Sequence, residues 1–415
     1  MDTAFMIQNI YSYGSLKTLS GLVAVLAFSC SVGIAQANES SAYITSDPSF
    51  EEDAAWMRRR MVELMKSNRG ELPDGRTVFY ADALKHYNLI FTRGFGYLYE
   101  FSGDLVSDSD AKGFLEYLLA GQREDGCIPD RVDSEGEAIY SPGGKNNQLA
   151  DHALDNAAFL ASAVCRYVSN SGDLAFFRQH EPALRRGMDF INRAPNGLVY
   201  NDPENPQCVY GFTDIVKKTG FLLFTSVLYY DACLRMEVAC RESRAGDTTE
   251  YARRAQLIKD NLGVLWDRHS GAFYAASGLC KQYDVWGTAF ALYHGLATPE
   301  QETRALDFLV NNYDRFVQKG QIRHILEPET WQATFAYRPA GVYQNGAYWA
   351  TPLGWFVPVL ARRDPALAQE TLQACLRDYR ERGIHEWVNG GVKRLPDYFV
   401  SAASVYSLLR SESIR

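Results

Sequence analysis

Two carboxylates in this 415-residue chain stand where acid–base chemistry would need them. Asp214 lies in Phe212-Thr213-Asp214-Ile215-Val216, ahead of the apolar run Phe221 to Tyr229. A carboxyl part-buried among aromatics is pushed toward its protonated form, which a proton donor near neutral pH requires. The plainer use of an aspartate there is a helix N-cap. Glu386 lies in Ile384-His385-Glu386-Trp387-Val388-Asn389, again just ahead of a helical stretch. It could activate a water, or pair at the surface with Arg382 or Lys393. Each carboxylate alone leaves both uses open. Together they occupy equivalent positions, and an acid facing a base across a pocket is what glycoside hydrolysis requires.

The elements that must position them are helices. Helical periodicity falls at 50–68, 91–104, 109–121, 152–169, 174–192, 218–241, 248–265, 284–296, 300–315, 345–360, 364–381 and 398–412. The joints after the second, fourth, sixth, eighth and tenth helices are short. The other six run to roughly 16–30 residues, and loops that long in a compact domain are usually functional. If the helices alternate up and down, all six long loops share one end. Asp108, Asp173, Thr298-Pro299 and Ser49 or Asp47 read as helix starts. The sixth helix is apolar nearly all round, as for an inner helix, whereas Glu250, Arg253, Arg254, Lys259 and Asp260 give the seventh one charged face. Even-numbered helices are therefore expected inside and odd-numbered ones outside: an all-α, single-domain (α/α)6 barrel. A solenoid of helical pairs would show a clearer repeat.

Composition narrows the partners. The net charge is −8 and no long basic tract occurs, so nucleic acid and anionic membranes are disfavoured. The 25 Tyr, 22 Phe and 7 Trp include flat faces on which sugars stack, though most aromatics belong to a core. Residues 1–37 read as a secretion signal: Lys17, an apolar stretch from Leu19 to Ile34, then Ala35-Gln36-Ala37. Cleavage there implies a periplasmic or secreted protein, free of the membrane, with a lead-in at 38–49 and a catalytic domain at 50–415. An uncleaved anchor is the alternative. Eight cysteines become seven, an odd number; Cys127, Cys208 and Cys280 lie in long loops where they could meet. No CxxC or HExxH occurs and the histidines are scattered, so neither metal nor cofactor is expected.

Other long-loop residues suit a polyol. Arg93 follows Phe91-Thr92 and could hold a hydroxyl or carboxylate, or form a structural ion pair. Asp284 and Trp286 open the eighth helix; Asn345 and Trp349 open the tenth; Trp387 adjoins Glu386.

These stretches carry a resemblance. The chain over 50–412 resembles the six-hairpin glycosidases, the superfamily of trehalase, processing glucosidase I and the glycogen-debranching glucosidase domain. The anchors are Phe91-Thr92-Arg93, Phe212-Thr213-Asp214, Asp284-Val285-Trp286-Gly287, Tyr343-Gln344-Asn345-Gly346 with Trp349, and His385-Glu386-Trp387 followed by Asp397-Tyr398 and Ser401-Ala402-Ala403. The resemblance implies that Asp214 is the general acid and Glu386 the general base of an inverting hydrolase acting on the terminal sugar of an oligo- or polysaccharide. Arg93, Asp284, Trp286, Asn345, Trp349 and Trp387 would hold that sugar. Many relatives carry an acidic residue after the arginine; Gly94 stands there here and alters the innermost subsite. Two alternatives remain: a sugar epimerase or isomerase using His385, and a carbohydrate-binding protein without turnover. The sugar, linkage, anomer and oligomeric state are not encoded in these motifs.

Overall fold

Six helices begin where a side-chain oxygen accepts the amide three residues on. Ser107 takes Asp110, Asp173 takes Phe176, Asp247 takes Glu250, Asp284 takes Gly287, Thr298 takes Gln301 and Asp364 takes Leu367. Ser107, not Asp108, caps the third helix. The computed structural model describes residues 48–410 apart from Asn88 and Tyr210, so the expected signal 1–37 and nearly all of the lead-in lie outside the described residues.

Among the described residues there are twelve α-helices. They are α1 (Pro48–Ser67), α2 (Thr92–Ser102), α3 (Asp108–Ala120), α4 (Asn156–Ser171), α5 (Leu174–Phe190), α6 (Leu223–Ser243), α7 (Thr248–Asn261), α8 (Val285–Tyr293), α9 (Pro299–Asn311), α10 (Leu353–Ala361), α11 (Pro365–Arg382) and α12 (Phe399–Ser407). About half of the chain is helical. Contacts among even-numbered helices form an unbroken cycle: α2 on α4, α4 on α6, α6 on α8, α8 on α10, α10 on α12, α12 on α2. Odd-numbered helices lie against this cycle, α7 on α6 and α11 on α10 for example. Burial follows the same division. Every residue of α8 from Val285 to Leu292 is buried, whereas α7 buries only Tyr251, Arg254, Ala255 and Ile258. None of the helices among the described residues is long and apolar enough to cross a membrane.

Two expectations are corrected. The long joints are not structureless, because each carries short antiparallel strand pairs that satisfy backbone groups a buried loop would strand. And α6 and α10 start later than their patterns suggested. Gly220–Phe221 pairs with Tyr200–Asn201, which holds the chain extended until Leu222. Likewise Trp349 pairs with Ile322 and Tyr348 with Val388, so α10 cannot begin before Leu353. The seven cysteines among the described residues are all buried free thiols, so Cys127, Cys208 and Cys280 are not joined.

The middle of the molecule is aromatic. Tyr97 of α2 lies 5.4 Å from Phe212 and 5.9 Å from Trp355, and Phe212 lies 5.4 Å from Trp349, between ring centroids. Such contacts add roughly 0.5–1.5 kcal/mol each beyond the area they bury. They anchor the loop just ahead of Asp214.

Candidate active site

Asp214 follows two residues in left-handed backbone, Gly211 at φ +53° and Phe212 at φ +55°. Such a conformation is costly for a phenylalanine and persists only where surroundings hold it. Here the packed Phe212 ring does so, and the chain is re-aimed at that point. Asp214 does not cap α6, whose N-cap position is Leu222. Its carboxyl is 6% exposed and accepts a short hydrogen bond from Gln344 Nε2. Burial holds the carboxyl above its ordinary protonation range and Asp130 adds to that; Arg93 and the Gln344 bond pull the other way.

Glu386 sits on a strand, His385–Asn389, which pairs with Val392–Pro396. The turn is Gly390-Gly391, with Gly390 at φ +56°, a conformation glycine adopts without steric cost. Side chains alternate along a strand, so Glu386 and Val388 face one way, His385 and Trp387 the other. Glu386 is 3% exposed and has no hydrogen-bond or ion-pair partner among the described residues. The surface pairing that would have made it structural is absent: Arg382 binds Asp378 at 2.6 Å, and Lys393 donates to the Arg382 carbonyl at 2.9 Å. Burial, then the charge of Asp214, then that of Asp82, push the Glu386 carboxyl well above its ordinary range. Buried polar groups are nearly always hydrogen-bonded, so a buried carboxyl without a partner calls for a functional account.

One segment ties the two carboxylates together. At its start, Phe335 N donates to the Ile215 carbonyl (2.7 Å) and Lys217 N to the Ala333 carbonyl (3.0 Å). In its middle, Gln344 Oε1 accepts the Ile215 amide at 2.9 Å while its Nε2 binds Asp214. Near its end, Tyr348 and Val388 exchange both backbone hydrogen bonds at 2.9 Å, and Asn389 Nδ2 donates to the Gly341 carbonyl at 2.8 Å. The strap 333–348 thus touches the backbone beside Asp214 and the backbone beside Glu386.

Two residues of the first long loop complete the cluster. Asp82 is fully buried, and Tyr87, 38% exposed, feels the charges of Glu386, Asp214 and Asp82. Neither was singled out from sequence. Asp82 nevertheless satisfies the criterion that selected Asp214 and Glu386, an acid in a long loop ahead of an inner helix. Gln344 lay inside a quoted motif without being chosen.

The remaining expected residues take varied positions. Arg93 is buried and pairs with Asp130 at 2.8 Å, a structural ion pair whose positive charge still acts on Asp214. Asp284 caps α8 and lies 3.8 Å from Lys218 Nζ. Asn345 spends its side chain on backbone, accepting from Trp331 N at 2.9 Å and donating to the Arg338 carbonyl at 2.8 Å. Trp286 and Trp349 have no exposed surface; Trp286 stacks on His324 at 3.7 Å. Trp387 is buried on the strand face opposite Glu386. Among these residues the structure brings Arg93 within electrostatic reach of Asp214. Among the described residues no cluster of three His, Cys, Asp or Glu side chains is arranged to hold a metal ion.

No family model and no curated protein matches the chain. Solved structures do. The mannosylglycerate hydrolase of Thermus thermophilus, described as GH63 and solved with glucose, superposes with a TM-score of 0.61 at 15% identity, over 85% of this chain and 100% of that one. The chain is similar in fold to the six-hairpin glycosidases. The rhamnosidase from Klebsiella oxytoca with rhamnose bound gives 0.61 at 17% identity, over 87% of this chain and 64% of that one. A glycosidase variant in complex with glucose gives 0.63 at 11% identity, over 88% and 98%. At such identities the likeness is one of fold, and it agrees with the resemblance carried by the motifs.

Proposed function

We propose that the chain is an inverting glycoside hydrolase that cleaves a terminal sugar from an oligo- or polysaccharide on an (α/α)6 toroid. One observation carries the proposal: two buried carboxyls from opposite parts of the chain share one electrostatic site, and Glu386 has no protein partner among the described residues. Asp214, whose carboxyl burial pushes toward its protonated form, donates its proton to the glycosidic oxygen. Glu386 takes a proton from the water that attacks the anomeric carbon. The cycle of contacts among α2, α4, α6, α8, α10 and α12 supports the toroid, and with it the reading that the loops before α6 and α12 face each other. Similarity in fold to three hydrolases of glycosides supports the reaction class. No step of this mechanism calls on a cofactor, and the substrate is the only partner it requires. The apolar segment ending at Ala37 supports export to the periplasm or beyond.

The epimerase alternative needs histidines as acid and base. His385 lies on the strand face away from Glu386 and its Nδ1 is 2.9 Å from the Gly383 carbonyl, which disfavours it. A screen of aryl glycosides and natural oligosaccharides, read by reducing-sugar release with Glu386→Gln as the blank, tests the proposal. Release of sugar by the wild type alone supports hydrolysis. Formation of a C2 epimer without cleavage, or binding without turnover across the panel, overturns it.

A further inference from the structure

His324 is a buried histidine with no part in the acid–base steps above. It lies just past the strand Gln321–Ile322 and is 1% exposed. Its ring lies on Trp286, 3.7 Å between centroids and 19° between planes, and meets Trp349 edge-on at 6.3 Å. Its backbone is tied to the start of α8: Val285 N donates to the His324 carbonyl at 2.8 Å, and Trp286 Nε1 to the Ile322 carbonyl at 3.3 Å. Stack and backbone together hold the ring in one orientation.

That orientation has a target. The ring Nε2 is 3.1 Å from the Gly211 carbonyl oxygen. A carbonyl oxygen can only accept, so Nε2 carries the proton. Nδ1 is buried and has no hydrogen-bond partner among the described residues, so a second proton there would have nothing to bind. Burial, then the charge of Lys218, keep the ring well below its ordinary protonation range, with Arg323 adding to them and the Gly211 bond opposing. The ring is a neutral donor with one tautomer.

Gly211 opens the left-handed pair that turns the chain toward Asp214. Any donor would satisfy its buried carbonyl. A stacked ring adds direction: because a peptide unit is planar, holding its oxygen orients the whole Gly211–Phe212 plane. Further along, Lys218 Nζ donates to Thr213 Oγ1 at 2.9 Å, and Gln344 holds both the Asp214 carboxyl and the Ile215 amide. His324 supplies the anchor on the upstream side.

Resting on the hydrolase reading above, we propose that His324 is a positioning residue for Asp214: through the Gly211 carbonyl it holds the left-handed turn that aims the carboxyl at the glycosidic oxygen. His324 itself neither gains nor loses a proton in the cycle.

The test compares two substrates of one sugar, the natural glycoside that the screen returns and its 2,4-dinitrophenyl glycoside, whose leaving group needs no acid. His324→Leu should lower kcat about tenfold to a hundredfold on the natural glycoside and less than about threefold on the dinitrophenyl one, with KM little changed on either. His324→Gln extends an amide N–H toward the place of Nε2 and should restore most of the loss. A folded His324→Leu that loses equally on both substrates, or that raises KM alone, overturns the proposal and leaves His324 a core residue. Should His324→Leu not fold, His324→Asn stays polar but stops short of Gly211 and carries the same expectation. Asp214→Asn, measured alongside, separates the two levels: equal losses there remove Asp214 as the acid, and this role for His324 with it.

Discussion

Gln344 grips Asp214 from both sides of the peptide: its amide nitrogen donates to the carboxyl and its amide oxygen accepts the next residue's N–H at 2.9 Å. That bond favours the ionised acid, against the burial that favours the protonated one. Gln344→Leu should therefore raise the Asp214 pKa further and move the alkaline limb of kcat/KM to higher pH. The loosened carboxyl should also cost about tenfold to a hundredfold in kcat. A pH–rate profile of the folded variant checks both; a limb that moves down contradicts the account.

The acid and the base should fail differently. Asp214→Asn keeps shape but cannot donate a proton, and should cost on the order of 10²–10⁴ in rate on a natural glycoside. On an aryl glycoside with a good leaving group the loss should be much smaller. Glu386→Gln should abolish turnover of both, since the water stays unactivated. Parallel kinetics on the two substrates decide it, and equal losses for Asp214→Asn on both would remove it as the acid.

If Glu386 is the base, its place in the site should carry a cost in stability. The Glu386 carboxyl titrates well above its ordinary range when folded, so the folded protein binds its proton more tightly than the unfolded chain does. Stability from this group is intact below the ordinary glutamate range and is lost as pH rises toward the raised folded value. Glu386→Gln should then melt higher than wild type at neutral pH, with the gap closing on acidification to about pH 4. Thermal melts across that range would show it; a variant less stable at every pH would mean that Glu386 is held by contacts the structure does not contain.

Hydrolysis should invert the anomeric carbon. Loops entering opposite inner helices leave room for sugar and water, and the expected carboxyl separation is about 6.5–9.5 Å, wider than the ~5 Å of a retaining pair. Proton NMR of the first-formed product is the measurement. Early appearance of the retained anomer would demand a nucleophile other than these two residues.

In its own host the mature chain should begin near Asn38. Intact-mass analysis of the exported protein reads this directly, and a product that keeps Met1 would refute cleavage.

The helices were legible because their signals are repetitive: a 3.6-residue apolar period over two or more turns, opened in half of them by an Asp, Ser or Thr cap. The strand pairs inside the long loops were not, since most span two residues and leave no period to detect. One was marked all the same, by Asn389-Gly390-Gly391, a turn signal between residues that pair across it. Asp214 and Glu386 were singled out by position in the hairpin repeat, and both are buried. Asp82 met the same rule, with Phe79 and Tyr80 just ahead of it, and was not singled out. Trp286 and Trp349 misled for the opposite reason. An aromatic beside a polar motif looks the same in sequence whether its face is open or, as here, wholly packed.

The strap 333–348 has a consequence for how such a protein could diverge. Asp214 and Glu386 belong to loops about 170 positions apart in the chain, yet one short stretch grips the main chain next to each. A lengthened or shortened strap would carry both carboxyls with it. On the proposed reading, the spacing between Asp214 and Glu386 can therefore be inherited as a unit, while the tip around Tyr337 is exposed and can change without disturbing it.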